Sequence, residues 1–340
     1  MKEPHISPRA ERITVIGAGS WGTALAIHFA RSGHDTRLWG RDPAALSQMA
    51  RERCNQRYLP EAPFPPRLAV EADLAAALSH CDDLLIAVPS HAFRATLEHL
   101  RPRLAPATRV AWATKGFELD SGKLPYAVAR EVLGERPMAV LSGPTFAREV
   151  GAGLPTAMTV ASADAGFAQA LARNISGPAF RAYTQADAIG VEVGGAVKNV
   201  IAIATGIADG VHYGANTRVA LITRGLAEMM RLGERLGAKR ETFMGLAGLG
   251  DLVLTCTDDQ SRNRRFGVAL GRGATAEEAQ RQIGQVVEGV LAARAVKRVA
   301  QELSVEMPIC EQVHDVVHAG TPIRDAVQAL MSRAIRAEGD

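Results

Sequence analysis

"RITVIGAGSWGTALAIHFARSGHDTRLWGRD", residues 12–42, has the pattern of a strand, a glycine-rich turn, a helix and a second strand. The turn GAGSWG places Gly17, Gly19 and Gly22 in G-x-G-x-x-G spacing. In this spacing the first glycine permits a tight turn and the second lets the backbone approach a pyrophosphate. The third packs the helix on the strand, so that the first amides of the helix face the phosphates. The stretch therefore predicts a dinucleotide site, and the alternative is a glycine-rich turn of an unrelated α/β fold.

Strand and helix patterns continue to alternate along the next part of the chain. Further strands are predicted at 83–89, 108–116, 138–144 and 156–162, and helices at 71–79, 91–101 and 124–134. The proline-rich segment 58–68 is expected to be an extended loop. Such alternation is typical of an α/β fold, here a Rossmann-type doubly wound parallel sheet.

After Tyr183 the strand patterns end and long helical periodicities take over. They cover 190–208, 216–236, 288–304, 309–319 and 322–336, and Thr275 with Glu278 forms a capping-box pattern. The second domain is therefore predicted to be all-helical. The predicted organisation is a polar N-terminal extension at 1–11, an NAD(P)-binding Rossmann domain at 12–188 and a helical substrate-binding domain at 189–340.

Composition limits the function classes. The 340 residues are 47% hydrophobic, carry a net charge of +3 and contain no long block of like charges, which argues against nucleic-acid binding. The polar start MKEPHISPRAER is not a signal peptide, and no uncharged apolar run reaches 18 residues. We therefore expect a cytoplasmic protein without membrane insertion. The four cysteines lack any C-x-x-C pair, so free thiols are expected, and no metal.

The end of the second predicted strand bears on the choice of cofactor. NAD sites usually carry an acidic residue at this point, about 20 residues after the glycine motif, which holds the ribose 2′-OH. This chain has Gly40 and Arg41 there, with Asp42 one place further on. An arginine suits the 2′-phosphate of NADP, so NADPH is the predicted cofactor, while Asp42 leaves NAD open.

One lysine stands inside the apolar run GVEVGGAVKNVIAI, residues 190–203. It is Lys198, one of only 6 lysines among 39 basic residues. Reduction of a ketone needs a proton on the nascent alkoxide. Burial among apolar residues disfavours the charged form of an amine, which makes it a better proton donor, whereas arginine keeps its proton at biological pH. The alternative is a lysine that extends from a buried helix to the surface.

Two further places are candidates for chemistry. Lys115 ends a predicted strand, and the carboxyl ends of parallel strands line the ligand crevice of an open sheet. The stretch GLAGLGDLVLTCTDDQSRNRRFG, residues 245–267, contains Asp251, Thr255 and an arginine-rich cluster that could grip a phosphate. The alternative for that cluster is a solvated basic start of a helix.

Seven blocks, taken together, resemble one family. They are VIGAGSWGTALA, SGPTFAREV, EVGGAVKNVIAIATGI, ALITRGLAEMMRLG, FMGLAGLGDLVLTC, SRNRRFG and QVVEG. The blocks follow one another in order with short spacers, and the resemblance runs from about residue 12 to residue 325. This set is similar to NAD(P)-dependent glycerol-3-phosphate dehydrogenase of the bacterial type. The resemblance implies reversible reduction of dihydroxyacetone phosphate to sn-glycerol 3-phosphate, the backbone of glycerophospholipids.

The resemblance also implies roles for individual residues. Lys198 takes the proton-transfer role, with Lys115 and Asp251 beside it as catalytic residues. The cofactor would contact Gly17, Gly19, Ser20, Trp21, Gly22, Arg41, Tyr58, Lys115, Ala147, Arg262, Val286 and Glu288. The substrate would contact Lys115, Gly143, Thr145, Lys198, Asp251, Thr255, Ser261, Arg262 and Asn263.

Two other functions are compatible with parts of the pattern. A dehydrogenase of the β-hydroxyacid or phosphogluconate type shares the Rossmann domain and a helix lysine, but SRNRR and GLGDLVLT favour the phosphorylated triose. A redox-sensing NADPH-binding module without turnover would not need Lys115, Lys198 and Asp251. The sequence does not reveal the oligomeric state, and a homodimer stays open.

Overall fold

The computed structural model describes residues 10–79 and 81–334, and most of the predicted extension 1–11 lies outside them. Contacts divide the chain into two units. The sheet unit comprises the described residues through Lys115 together with Pro125–Val191. The helical unit comprises Gly116–Leu124 and the described residues from Glu192 onward. The predicted division after residue 188 lies near this one, but sequence patterns did not assign Gly116–Leu124 to the helical unit.

Eight strands form one sheet in the order β3-β2-β1-β4-β5-β6-β7-β8. They are β1 Arg12–Ile16, β2 Asp35–Trp39, β3 Leu68–Val70, β4 Asp83–Ile86, β5 Arg109–Trp112, β6 Met138–Ser142, β7 Thr156–Ala161 and β8 Phe180–Gln185. The first six strands are parallel in the 3-2-1-4-5-6 order typical of dinucleotide-binding folds. The strand order reverses between β1 and β4, and β1 ends directly before the glycine turn. The Rossmann-type prediction is confirmed.

Helices cover the two faces of this sheet. They are α1 Ser20–Arg31, α2 Pro43–Glu52, α3 Leu74–Ser79, α4 Ser90–Leu100, α5 Pro125–Leu133, α6 Ala147–Ala152 and α7 Ala165–Ile175. Because both faces are covered, the central strands are mainly apolar, and every residue of β4 and β6 is buried, including Asp83 and Ser142 at their ends.

The sheet has three features that the sequence patterns missed. β3 has only three residues and lies at the end of the proline-rich segment, so the prediction of a loop over 58–68 was wrong at its last residue. β8 is the edge strand, with only Phe180 buried, and therefore shows no clean apolar alternation. In addition, β7 pairs antiparallel with β6, so the sheet is not parallel throughout.

The helical unit is built around α8. Its helices are α8 Ala188–Gly210, which starts in the sheet unit, α9 Gly214–Arg235, α10 Asp251–Thr257, α11 Arg262–Gly271, α12 Ala276–Ile283, α13 Glu288–Glu302, α14 Pro308–His314 and α15 Ile323–Met331. Within the described part of the chain, α8 is the one helix long and apolar enough to cross a membrane, but it is mostly buried inside the protein. The capping box of Thr275 and Glu278 is present at the start of α12.

Short segments of less common helix interrupt this pattern. Leu246–Gly250 and Asp315–Ala319 are π-helical, and the first of them leads directly into Asp251 at the start of α10. Single π-helical turns occur frequently at functional sites. The catalytic candidate Asp251 therefore lies at the point where an irregular turn passes into the regular helix α10.

Candidate active site

The glycine turn of the sheet unit has the geometry of a phosphate-binding loop. Gly17 has a φ of +117°, and a Cβ at that position would lie 2.5 Å from the carbonyl oxygen of Ala87. A Cβ at Gly22 would lie 1.9 Å from the Gly17 oxygen, whereas one at Gly19 would meet nothing within 4 Å. Two glycines are thus required by packing, and Gly19 borders open space where a ligand could approach the backbone.

The start of α1 is also suited to a dinucleotide. Gly19 precedes the helix and no side chain caps its first turn, which begins at Ser20. The Trp21 Nε1 atom is buried and has no hydrogen-bond partner among the described residues. The helix start therefore presents backbone amides to an anion, as the resemblance implies for a pyrophosphate.

A buried asparagine supports this turn and was not predicted. Asn55 is fully buried, and its Nδ2 donates to the carbonyl oxygen of Ala18 at 3.1 Å and to Thr23 Oγ1 at 2.8 Å. No sequence motif marks Asn55, because it comes from the irregular segment after α2. The predicted cofactor residue Tyr58 lies in that same segment, where the Arg57 guanidinium stacks on its ring.

Arg41 and Asp42 have different surroundings at the end of β2. The Asp42 carboxylate caps α2 and accepts hydrogen bonds from Ala44 N at 3.0 Å and Ala45 N at 3.1 Å. Arg41 is exposed. Because Asp42 already has a structural role, Arg41 is the residue at this strand end that could select between the two dinucleotides.

The substrate candidates of the sheet unit lie at the carboxyl ends of β5 and β6. The half-buried Lys115 extends its Nζ to 3.5 Å from the Gly143 carbonyl oxygen. Gly143 has a φ of +144°, and a Cβ there would approach the Met158 backbone to 3.0 Å. Thr145 donates its hydroxyl to the same Gly143 oxygen at 3.2 Å, and Ala147 opens α6 two residues later. The structure thus gathers Lys115, Gly143 and Thr145 at one point.

The catalytic candidates of the helical unit form a buried cluster. Lys198 Nζ lies 2.5 Å from Asp251 Oδ1 and 3.0 Å from Thr255 Oγ1, and the Lys198 and Asp251 side chains are 8% and 2% exposed. Thr255 also donates its hydroxyl to the Asp251 carbonyl oxygen at 2.6 Å. The fold thus adds a carboxylate and a hydroxyl to the apolar residues and Asn199 that surround Lys198 in the sequence. A carboxylate at this distance stabilises the ammonium form, whereas burial disfavours it.

Glycines bring the two halves of this cluster together. Gly194 precedes Lys198 by one turn of α8, and a Cβ on it would lie 2.4 Å from the carbonyl oxygen of Ala247. Ala247 belongs to the π-helical turn that leads into Asp251. Close approach of α8 to this turn thus allows the short contact between the lysine and the carboxylate.

A second polar network follows from Asn263. Its Nδ2 donates to Asn199 Oδ1 at 2.9 Å, and its Oδ1 accepts from Gly289 N at 2.8 Å. The network joins α8, α11 and the first turn of α13, where Glu288 is predicted to contact the cofactor. Asn199 was not predicted as a site residue, although it is the polar neighbour of Lys198 in an otherwise apolar run.

The remaining predicted residues of the helical unit lie around the start of α11. Ser261 caps this helix and accepts from Arg264 N at 3.2 Å. Arg262 Nη1 is 3.4 Å from Gln285 Oε1, close to the exposed Val286. Burial raises the pKa of Glu288, and the positive charge of Arg262 opposes that rise. The positive charge of Arg262 thus acts on Glu288, and the resemblance implies a cofactor contact for both residues.

The helical unit also contains a cavity that lies apart from the predicted site residues. It has a volume of about 870 Å³, lies between α9, α14 and α15, and has mainly apolar walls. None of the predicted site residues lines it. Glu228 lies at its wall and accepts from Ile309 N at 2.7 Å and Cys310 N at 3.1 Å. The candidate active site is identified by its polar clusters and not by this cavity.

Two family models match most of the length of this chain. Residues 12–168 match the model of the NAD-dependent glycerol-3-phosphate dehydrogenase N-terminus, and residues 187–328 match the model of its C-terminus. A glycerol-3-phosphate dehydrogenase [NAD(P)+] of Serratia marcescens is 56% identical over 329 residues, which are 96% of this chain and 97% of that protein.

Solved structures give the same result at the level of the fold. The crystal structure of glycerol-3-phosphate dehydrogenase from Coxiella burnetii aligns with a TM-score of 0.92 at 49% identity, covering 95% of this chain and 99% of that one. A ketopantoate reductase from Ralstonia eutropha aligns with a TM-score of 0.60 at 15% identity. The alignment covers 93% of this chain and 99% of the reductase chain. The second likeness shows a shared fold only.

Proposed function

Since the chain belongs to the NAD-dependent glycerol-3-phosphate dehydrogenase family, it is an NAD(P)-dependent oxidoreductase, and we propose that Lys198 is its proton donor and NADPH its preferred cofactor. The reaction is the reversible reduction of dihydroxyacetone phosphate to sn-glycerol 3-phosphate. The observation that carries the proposal is the buried contact of Lys198 with Asp251 and Thr255. A cytoplasmic location fits this activity, and the homodimer stays a prediction.

The residues of the sheet unit fit a bound dinucleotide. The open space at Gly19, the uncapped start of α1 and the exposed Arg41 suit a pyrophosphate and a 2′-phosphate. When bound, the nicotinamide supplies the hydride that reduces the ketone carbon. Asp42, engaged as the cap of α2, supports the preference for NADPH over NADH.

Lys198 supplies the proton for the ketone oxygen. Its ammonium, held by Asp251 and Thr255, can donate a proton to the alkoxide that forms at C2, and in the reverse direction the neutral amine accepts it. Asp251 keeps the amine in place and stabilises its charge before transfer. The positive charges of Arg262 and Lys115 suit the phosphate and the developing oxyanion.

A direct assay tests the proposed function. The purified protein is mixed with dihydroxyacetone phosphate and either NADPH or NADH, and the absorbance of the reduced nicotinamide is followed. We expect a higher kcat/KM with NADPH than with NADH, no consumption of NADPH with 2-oxoacids, and no reduction of NADP+ with β-hydroxyacids. Equal kcat/KM values with the two cofactors would contradict the NADPH preference but not the substrate. Oxidation of NADPH with oxoacids but not with the phosphotriose would contradict the substrate.

A further inference from the structure

The segment Gly116–Leu124, called the strap here, connects Lys115 to α5. Both of its neighbours along the chain belong to the sheet unit, but the strap belongs to the helical unit by its contacts. Its first residue is bonded to Lys115, which is proposed to contact both cofactor and substrate. The freedom of the Lys115 backbone therefore depends on how firmly the strap is held.

The strap is a compact turn with its own hydrogen bonds. Glu118 N donates to the Lys123 carbonyl oxygen at 2.8 Å, and Gly122 N donates to the Glu118 oxygen at 2.9 Å. Phe117 is 1% exposed, and the Ser121 hydroxyl donates to the Glu118 carboxylate. These bonds link the residues from Glu118 to Lys123, and the buried Phe117 connects this turn to Gly116.

Arg298 of α13 attaches the strap to the helical unit. Its Nη1 donates to the carbonyl oxygens of Leu119 at 3.2 Å and Asp120 at 2.6 Å, and its Nε donates to Glu302 at 2.7 Å. The neighbouring Val299 packs against Gly122, where a Cβ would lie 3.0 Å from its Cγ2 atom. Glu302 orients the guanidinium, and the guanidinium holds two successive carbonyls of the turn.

We propose that Arg298 is a positioning residue for the reaction, acting through the strap on Lys115. The inference rests on the proposed role of Lys115. Arg298 lies too far along α13 from Glu288 to belong to the predicted site, and nothing in the family motifs marks it. Its side chain is 45% exposed, so its bonds contribute little to global stability. A small displacement of a group that orients a substrate can nevertheless lower the rate about 100-fold.

A double-mutant cycle tests this inference. The variants are Arg298→Ala, Lys115→Met and the double variant, each compared with wild type by kcat/KM for dihydroxyacetone phosphate and by thermal unfolding. Arg298→Ala should lower kcat/KM about 10-fold with little change in Tm, and Lys115→Met should lower it further. In the Lys115→Met background, Arg298→Ala should have no further effect, because Arg298 acts only through that lysine.

Two further variants separate positioning from a general effect. Arg298→Lys retains a donor for one carbonyl and should restore part of the lost activity. Arg324→Ala removes an exposed arginine of α15 and should leave kcat/KM unchanged. If Arg298→Ala has the same effect with and without Lys115, or no effect at all, the inference is wrong. Full activity of Lys115→Met alone would instead refute the proposed role of that lysine, and the inference with it.

Discussion

At the scale of single residues, the guanidinium of Arg41 is what can distinguish the two dinucleotides. Arg41→Ala should raise KM for NADPH about 10-fold or more and leave KM for NADH nearly unchanged, because it removes charge-assisted hydrogen bonds of roughly 1.5–3 kcal/mol to the 2′-phosphate. The measurement is steady-state kinetics with both cofactors. Arg51→Ala, an exposed arginine of α2, is the matched control. Equal losses with both cofactors would show that Arg41 contacts something they share.

Replacement of Arg262 tests whether its guanidinium contacts the phosphate of the substrate. Arg262→Ala should lower kcat/KM steeply for dihydroxyacetone phosphate but hardly change the slow reduction of dihydroxyacetone, which lacks the phosphate. Added phosphite should accelerate dihydroxyacetone reduction in wild type much more than in the variant. The exposed Arg265 of the same cluster provides the control, Arg265→Ala. A similar loss with both substrates would instead make Arg262 a structural or cofactor contact.

Residue types and motif spacing predicted most of the candidate site, but not its contacts. Lys198, Asp251 and Thr255 were each candidates, yet only the fold shows that the lysine and the carboxylate are 2.5 Å apart. They are separated by 53 positions in sequence, and no local pattern encodes that distance. Asn55 and Asn199 were missed for the same reason, because their partners come from distant segments.

At the scale of elements, the close approach of α8 to the π-helical turn determines the geometry of the catalytic pair. In Gly194→Ala the new Cβ would overlap the Ala247 oxygen, so the turn and Asp251 must move away from Lys198. We expect kcat to fall about 10-fold or more, with a loss of about 1–3 kcal/mol in the free energy of unfolding. Gly245→Ala is the control within the same segment, since its Cβ would have only an ordinary contact at 3.4 Å. Wild-type kcat in Gly194→Ala would refute this role of the close approach.

The buried Glu228 should make stability depend on pH. Burial raises its pKa from 4.5 to about 7. Because the folded state holds the proton more tightly, this contribution to stability is complete below about pH 4.5 and is lost as pH rises through about 7. The loss amounts to roughly 3 kcal/mol. His28, His34 and His318, whose pKa values are lowered by desolvation, change stability in the opposite direction over this range. Urea unfolding at about pH 5 and about pH 8 should therefore show that wild type loses roughly 3 kcal/mol more stability than Glu228→Gln between the two pH values.

The control for that experiment is an exposed carboxyl. Glu278→Gln, in the capping box of α12, should leave the loss between the two pH values in place. The same change in stability between the two pH values in wild type and in Glu228→Gln would show that Glu228 ionises normally in the folded state.

Strands and helices could be predicted from the sequence where apolar residues recur at a regular spacing. The buried strands β1, β4, β5 and β6 and the long helices α8, α9 and α13 follow from apolar patterns. Two strands could not be predicted in this way. β3 has only three residues, which is too short for a pattern, and the edge strand β8 buries only one side chain. The π-helical turn before Asp251 depends on packing against Gly194, which no local pattern reveals.

At the scale of the whole molecule, the proposed site residues divide between the two units. The glycine turn, α1 and Arg41 belong to the sheet unit and are proposed to serve the dinucleotide, whereas Lys198, Asp251 and Thr255 belong to the helical unit and are proposed to serve the ketone. The order of blocks in the sequence predicts this division, which remains a prediction. The assignment of the strap to the helical unit could not be predicted, because it depends on the contacts of Arg298 and Val299 with a segment far away in sequence.

The turnover of Lys198→Arg tests the central claim most directly. Arginine keeps the positive charge beside Asp251 but does not release a proton, so a proton donor at this position cannot be replaced by it. General acid catalysis typically contributes about 10²–10⁴-fold. We predict that the variant binds NADPH as wild type does, by the thermal shift on cofactor addition, while its kcat with dihydroxyacetone phosphate falls below a tenth of wild type. A folded, NADPH-binding variant that retains more than about a tenth of the wild-type kcat would contradict the claim that Lys198 donates the proton.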